Sequence, residues 1–212
     1  METSTSISNY LDYLRQVIQG RLTEHFTPGT NFSVDSIQLP ANNSDQTPLP
    51  TFIRNNNLNS SEIIILLVTF APHVDPVFFD ELIQEHLPDK GDFPQFGGVR
   101  GRNHRGFLPT AETALFILAG DDLEKRFEYL DLFEKDHKLA TLTVLSIEDA
   151  QSGEPQFSGR LIMASEYIEL FISGRISHPK FSMDFPAEYI TTELTSDDLV
   201  LPQATNQQIA EL

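Results

Sequence analysis

A mainly helical α+β fold is what this sequence predicts, on three observations. Apolar residues recur at intervals of three and four along several stretches, which marks amphipathic helices. Cap residues bracket those stretches, with Ser, Thr, Asn or Asp before them and Gly or Pro after. Around the turn-like segment Asp149 to Pro155 the period shortens towards two, which reads as a β-hairpin.

The first helix is expected from Ile7 to Phe26, where Ile7, Tyr10, Leu11, Leu14, Val17, Ile18, Leu22 and Phe26 form one stripe. Ser6 or Ser8 is available as its N-cap, and Thr27-Pro28-Gly29 stops it. The Asn-, Ser- and Pro-rich stretch 31–57 offers a short strand at Phe32 to Leu39, and 40–50 reads as a loop or linker. Asn59 and Glu62 then form a capping box for a helix filled by Ile63 to Phe70 and ended by Pro72. Asp75-Pro76 starts the next helix, with Asp as N-cap and Pro at the first position, running to Leu87. Thr110 caps a third compact helix, Ala111 to Ala119, closed by Gly120. Asp121 and Glu124 cap a fourth, with Leu123, Phe127, Leu130 and Phe133 on one face. Strands are expected where Thr141, Leu142, Thr143 and Val144 lead up to Ile147, and from Phe157 to Met163. Ser165 caps a last helix, Glu166 to Ser173, closed by Gly174.

Several short helices followed by a hairpin is the element order of a winged-helix unit. The expected organisation is therefore an N-terminal helix with a Pro/Asn-rich connection over 1–57, a winged-helix-like domain over 58–175, and an extended linker over 176–212. At Thr205 a helical pattern opens and Leu212 cuts it off, which reads as a domain cut.

Composition narrows the function classes. Lys and Arg number 14 against 31 Asp and Glu, a formal charge of −17 that repels phosphate backbones and anionic membrane surfaces. Nucleic-acid binding is disfavoured on that ground. The most apolar run, Ile63 to Val68, is far too short to span a bilayer. The N-terminus lacks a basic region followed by an apolar stretch, and without Cys there is neither a disulfide nor a thiolate metal site. These features predict a cytoplasmic protein. Sixteen Phe beside 5 Tyr and no Trp imply much apolar area to cover, inside or against a partner.

No G-x-x-x-x-G-K-[ST], G-x-S-x-G or H-E-x-x-H occurs, so no catalytic, metal-binding or cofactor-binding residue is expected in this chain. The most distinctive segment is Phe96 to Gly106, where Arg100, Arg102, His104 and Arg105 lie among glycines without an acid. Such a loop suits docking to an acidic partner or to a nucleotide in a neighbouring domain. It equally suits a structural connection whose Arg residues pair with the chain's own carboxylates. His73, Asp75, Asp80 and His86 suggest a metal site but are better explained as caps and surface residues. Glu112, Asp121, Asp122 and Glu124 are likewise better explained as helix-end residues than as an acid/base pair.

The segment FGGVRGRNHRGFLPTAETALFILAGDDLEKRF, Phe96 to Phe127, resembles the N-terminal region of a family of bacterial AAA+ ATPases. Ile63 to Ile83 is similar to the stretch before that loop, and Phe181 to Leu212 to the stretch leading into the ATPase core. The resemblance implies a winged-helix-like, non-catalytic N-terminal module, with ATP and Mg²⁺ used by an ATPase domain beyond Leu212. It also implies a homo-oligomeric ring, with the module contacting its own ATPase domain and a protein client. Some members of the family accompany phage-tail-like contractile injection systems.

Overall fold

Helix α3 (Ser60–Val74) organises the computed structural model, which describes residues 2–40, 45–86 and 93–175. Ten consecutive residues from Glu62 to Ala71 are buried. A helix apolar on all sides has to be wrapped by its neighbours, and α1 (Glu2–Phe26), α4 (Phe78–His86), α5 (Ala111–Ala119) and strand β4 (Leu161–Met163) all pack on it. The capping box forms as expected: Asn59 Oδ1 accepts from Glu62 N at 2.9 Å, and Glu62 Oε2 accepts from Asn59 N at 2.8 Å. Pro72 does not end the helix, which runs on to Val74. Asp75 is the C-cap of α3 rather than the N-cap of α4. Its Oδ1 accepts from Val77 N at 3.3 Å in the turn between the two helices.

The remaining elements are α2 (Pro48–Asn55), a hairpin of β1 (Val99–Arg100) and β2 (Phe107–Leu108), α6 (Leu123–Leu130), the single turn α7 (Lys138–Thr141), β3 (Leu145–Ile147) and α8 (Ser165–Ser173). The architecture is thus mainly helical α+β with two small antiparallel hairpins, β1–β2 and β3–β4.

Several expectations are corrected. Helix α1 begins at Glu2, before either proposed cap, and buries Ser6. Phe32 to Leu39 forms no strand; it holds a 3-10 turn at Val34–Ser36. Part of the supposed linker 40–50 belongs to α2, because prolines at positions 48 and 50 fall in the first turn, where backbone N–H groups need no helical partner. Leu49, Pro50 and Ile53 of α2 are buried. Asp122, not Asp121, caps α6, accepting from Glu124 N and Lys125 N at 3.0 and 3.2 Å. Thr141 closes α7 rather than opening a strand. Gln156–Ser158 is a 3-10 turn before β4, and Ala164 stands at the N-cap of α8 in place of Ser165. The expected linker 176–212 and the helical pattern that opens at Thr205 lie outside the described residues.

The described residues belong to one compact unit, Met1–Ile176. Residues from α1 and α2 join the same hydrophobic cluster as those from α3 to α8, so the stretches 1–57 and 58–175 share a core. Much of the Phe content is internal. Phe96 lies 5.3 Å from Phe107, 5.6 Å from Phe116 and 5.9 Å from Phe93 between ring centroids. Edge and offset contacts of this kind add to simple area burial. Among the described residues no single helix is long and apolar enough to cross a membrane.

Candidate functional site

The Gly/Arg loop has more structure than its composition suggests. Gly98 sits at φ +91° with the Phe107 ring where a Cβ would go, so only glycine admits the close approach that starts the hairpin. Its N–H donates to Thr110 Oγ1 at 3.1 Å. That same oxygen accepts from Thr113 N at 3.4 Å at the start of α5, so one hydroxyl ties the loop to a helix cap.

The four loop residues singled out in the sequence do not converge. Arg100 is exposed but tied back to the protein: Nη2 meets Asp80 Oδ1 at 2.7 Å, and Nη1 donates to the Arg105 carbonyl at 2.6 Å. The other Asp80 oxygen accepts from Phe107 N at 2.7 Å, so Asp80 of α4 clamps both strands of the hairpin. His104 is half-buried, with Nε2 against Gly106. Arg102 and Arg105 are exposed. The loop therefore combines a structural pin, Arg100, with two outward-facing cations.

The acidic and histidine groups noted in the sequence separate likewise. Asp75 faces Arg15 at 3.9 Å, and His86 Nδ1 lies 3.0 Å from the Leu82 carbonyl. Glu112 pairs with Arg126 at 2.8 Å and Asp121 with His25 at 3.0 Å, while Asp122 caps α6. His73 lies at the surface; partial burial of its ring, then the charges of His104 and Arg160, hold its pKa below the usual 6.5.

One polar cluster escaped the sequence reading. Glu62 is 3% exposed, and beyond its capping box it contacts His137 Nε2 at 3.2 Å and Lys138 Nζ at 3.3 Å. His137 Nδ1 accepts from Leu139 N at 3.4 Å, so the hydrogen-bond network assigns the proton to Nε2, facing the carboxylate. A carboxylate, an imidazole and an ammonium side by side could suggest chemistry. Here they join the starts of α3 and α7, and each polar atom of the imidazole is already engaged.

The surface feature with the clearest capacity for recognition lies on α6. The three residues Gly120 to Asp122 turn the chain from α5 into α6. The expected stripe Leu123, Phe127, Leu130, Phe133 does not face the core as a unit, and no residue of α6 is buried. The Arg126–Glu112 pair and the partly buried Tyr129, Leu132 and Phe133 set the rotation of this segment, leaving Leu123 65% and Phe127 67% exposed. These two side chains stand one helical turn apart on one side, with exposed carboxylates of Glu124, Glu128 and Asp131 beside them.

Compared with protein-family models, curated proteins and solved structures, the chain matches none.

Proposed function

We propose that this chain is a non-catalytic recognition module, N-terminal to an AAA+ ATPase core, that engages a protein client or a neighbouring subunit of the motor. The resemblance of Phe96–Phe127 to such N-terminal regions motivates the ATPase context. The pairing pattern supports a winged-helix-like reading of the module. Its elements would be α3, the strand entering Thr110, α5, α6 and the β3–β4 hairpin. The Thr110–Arg160 bridge and the bond from Leu161 N to the Pro109 carbonyl, 3.0 Å, lay the first strand beside β4.

The observation that carries the protein-recognition reading is the exposed pair Leu123 and Phe127 on the second helix of the helix–turn–helix, amid carboxylates. A helix that reads a DNA groove presents cations and polar side chains there. A helix that docks on a protein presents aromatic and aliphatic anchors.

The test has two arms. Residues 1–212 alone are expected to show no ATP turnover, whereas the product of the full reading frame hydrolyses ATP; turnover by residues 1–212, or a full frame without a P-loop, overturns the AAA+ assignment. In a gel-shift series across salt, the chain is expected to leave duplex DNA unshifted. A shift with a steep salt slope that disappears in Arg102→Glu/Arg105→Glu would instead make this a nucleic-acid module.

A further inference from the structure

Strand β3 uses one of its two edges. Glu148 N donates to the Arg160 carbonyl at 2.8 Å, and Ala164 N donates to the Val144 carbonyl at 2.9 Å. With the register Leu145↔Met163, Ser146↔Ile162 and Ile147↔Leu161, residues 144, 146 and 148 occupy the hydrogen-bonded pairs. The N–H and C=O groups of Leu145 and Ile147 therefore point away from β4. The far edge of β4 is taken by Pro109 and Thr110. The far edge of β3 carries no strand among the described residues.

That edge opens into a cleft of about 730 Å³. Phe133 and Phe157, 5.9 Å apart between centroids, give it an apolar wall, and Glu134, Asp136, Glu148 and Asp149 make its lining acidic against the single cation Lys135. Glu148 is engaged by Arg160 at 3.3 Å; Glu134, Asp136 and Asp149 have no ion-pair partner among the described residues. Exposed strand edges are normally guarded by Lys, Pro or a bulge, and Leu145-Ser146-Ile147 contains no Lys or Pro.

We infer that this cleft takes an extended cationic polypeptide segment, which adds to β3 as a further strand. Main-chain bonds to Leu145 and Ile147 supply the register. Apolar side chains of the incoming segment lie on Phe133 and Phe157, and its Lys or Arg residues meet Glu134, Asp136 and Asp149. The carboxylates select the sign of the partner, and the strand edge selects its extended backbone. The inference stands apart from the α6 face and does not depend on it.

The probe is a short fluorescent peptide alternating Val and Lys, titrated into residues 1–212 at low salt by anisotropy and by amide NMR shifts. Two twins accompany it: one with Glu in place of Lys, and one with alternate backbone amides N-methylated. The Lys peptide is expected to bind with shifts centred on Leu145 to Glu148, the Glu twin not to bind, and the N-methylated twin to bind about tenfold more weakly or worse. Ile147→Pro removes an outward N–H without breaking a β3–β4 bond and is expected to weaken binding similarly; the methylated peptide carries the test should that variant unfold. Phe127→Glu should leave binding unchanged. Absent binding, equal binding by the methylated twin, or shifts and losses centred on α6 would each overturn the proposal.

Discussion

Replacing Arg21 with methionine tests how α1 is fastened to α5. Arg21 is 3% exposed; Nε donates to the Ile117 carbonyl at 3.0 Å and Nη2 to the Leu118 carbonyl at 2.8 Å. Nη1 is bonded to Glu24, and the guanidinium lies 5.2 Å from the Phe32 ring centroid. The two carbonyls belong to the last turn of α5, whose four C-terminal C=O groups have no helical donors of their own. A cation there also meets the negative end of the helix dipole. Methionine keeps most of the apolar stem but supplies no donor, so two charge-assisted bonds of about 1.5–3 kcal/mol each are lost. The Glu24 carboxylate keeps its bond from Phe32 N, is 25% exposed and recovers hydration, which leaves the net cost at roughly 3–5 kcal/mol. At about 2–4 °C per kcal/mol for a unit of this size, the melting midpoint should fall by about 6–20 °C. Urea and thermal melts followed by far-UV circular dichroism read it directly, and added salt should change little because the contact is buried. Arg21→Lys should recover only part of the loss, since one ammonium cannot reproduce the planar fork to two carbonyls. A loss below about 1 kcal/mol, or full recovery by lysine, would refute the reasoning.

Two further outcomes follow from the same geometry. His73 has its folded-state pKa held below 6.5, so in the window beneath 6.5 the unfolded chain binds more protons and stability falls as pH drops. Urea melts from about pH 7.5 to about pH 5 should therefore show a steeper loss for the native chain than for His73→Gln, and identical slopes would exclude this histidine as a source. Arg100→Ala should cost under about 1 kcal/mol, because its pair with Asp80 is solvent-accessible, yet it should loosen the hairpin. Hydrogen exchange at Phe107 N should then quicken while α3 stays protected; unchanged exchange would show that Asp80 holds the hairpin without it.

The elements legible in the sequence were those decided within a few residues. Asn59 with Glu62, Thr110 before Ala111, and Gly120, Gly29 and Gly174 at φ +60°, +85° and +73° are local choices. Cap hydrogen bonds and positive φ depend on side chains one turn away, and helices α1, α3 and α5 could be read from such signals. The unbroken apolar run from Ile63 to Val68 likewise marked its helix for burial, since it has no face to give to water.

Tertiary structure decided what depends on partners distant in sequence. The prolines of α2 looked like breakers until their place in its first turn was known. The stripe of α6 could have met the core or a partner and gave an exposed anchor, because periodicity fixes which residues share a face but not where that face points. Arg21 caps a helix 96 residues away, and Arg100 joins Asp80 across 20 residues. The open edge of β3 was invisible for the same reason: a strand's pairing on either side is a property of its neighbours, and the hydrophobic pattern of three residues carries no record of them. Local physics wrote some helix ends into this chain, those at Asn59, Thr110 and Gly120 among them, while the long-range packing of helices and strands chose which of its surfaces were left free to bind.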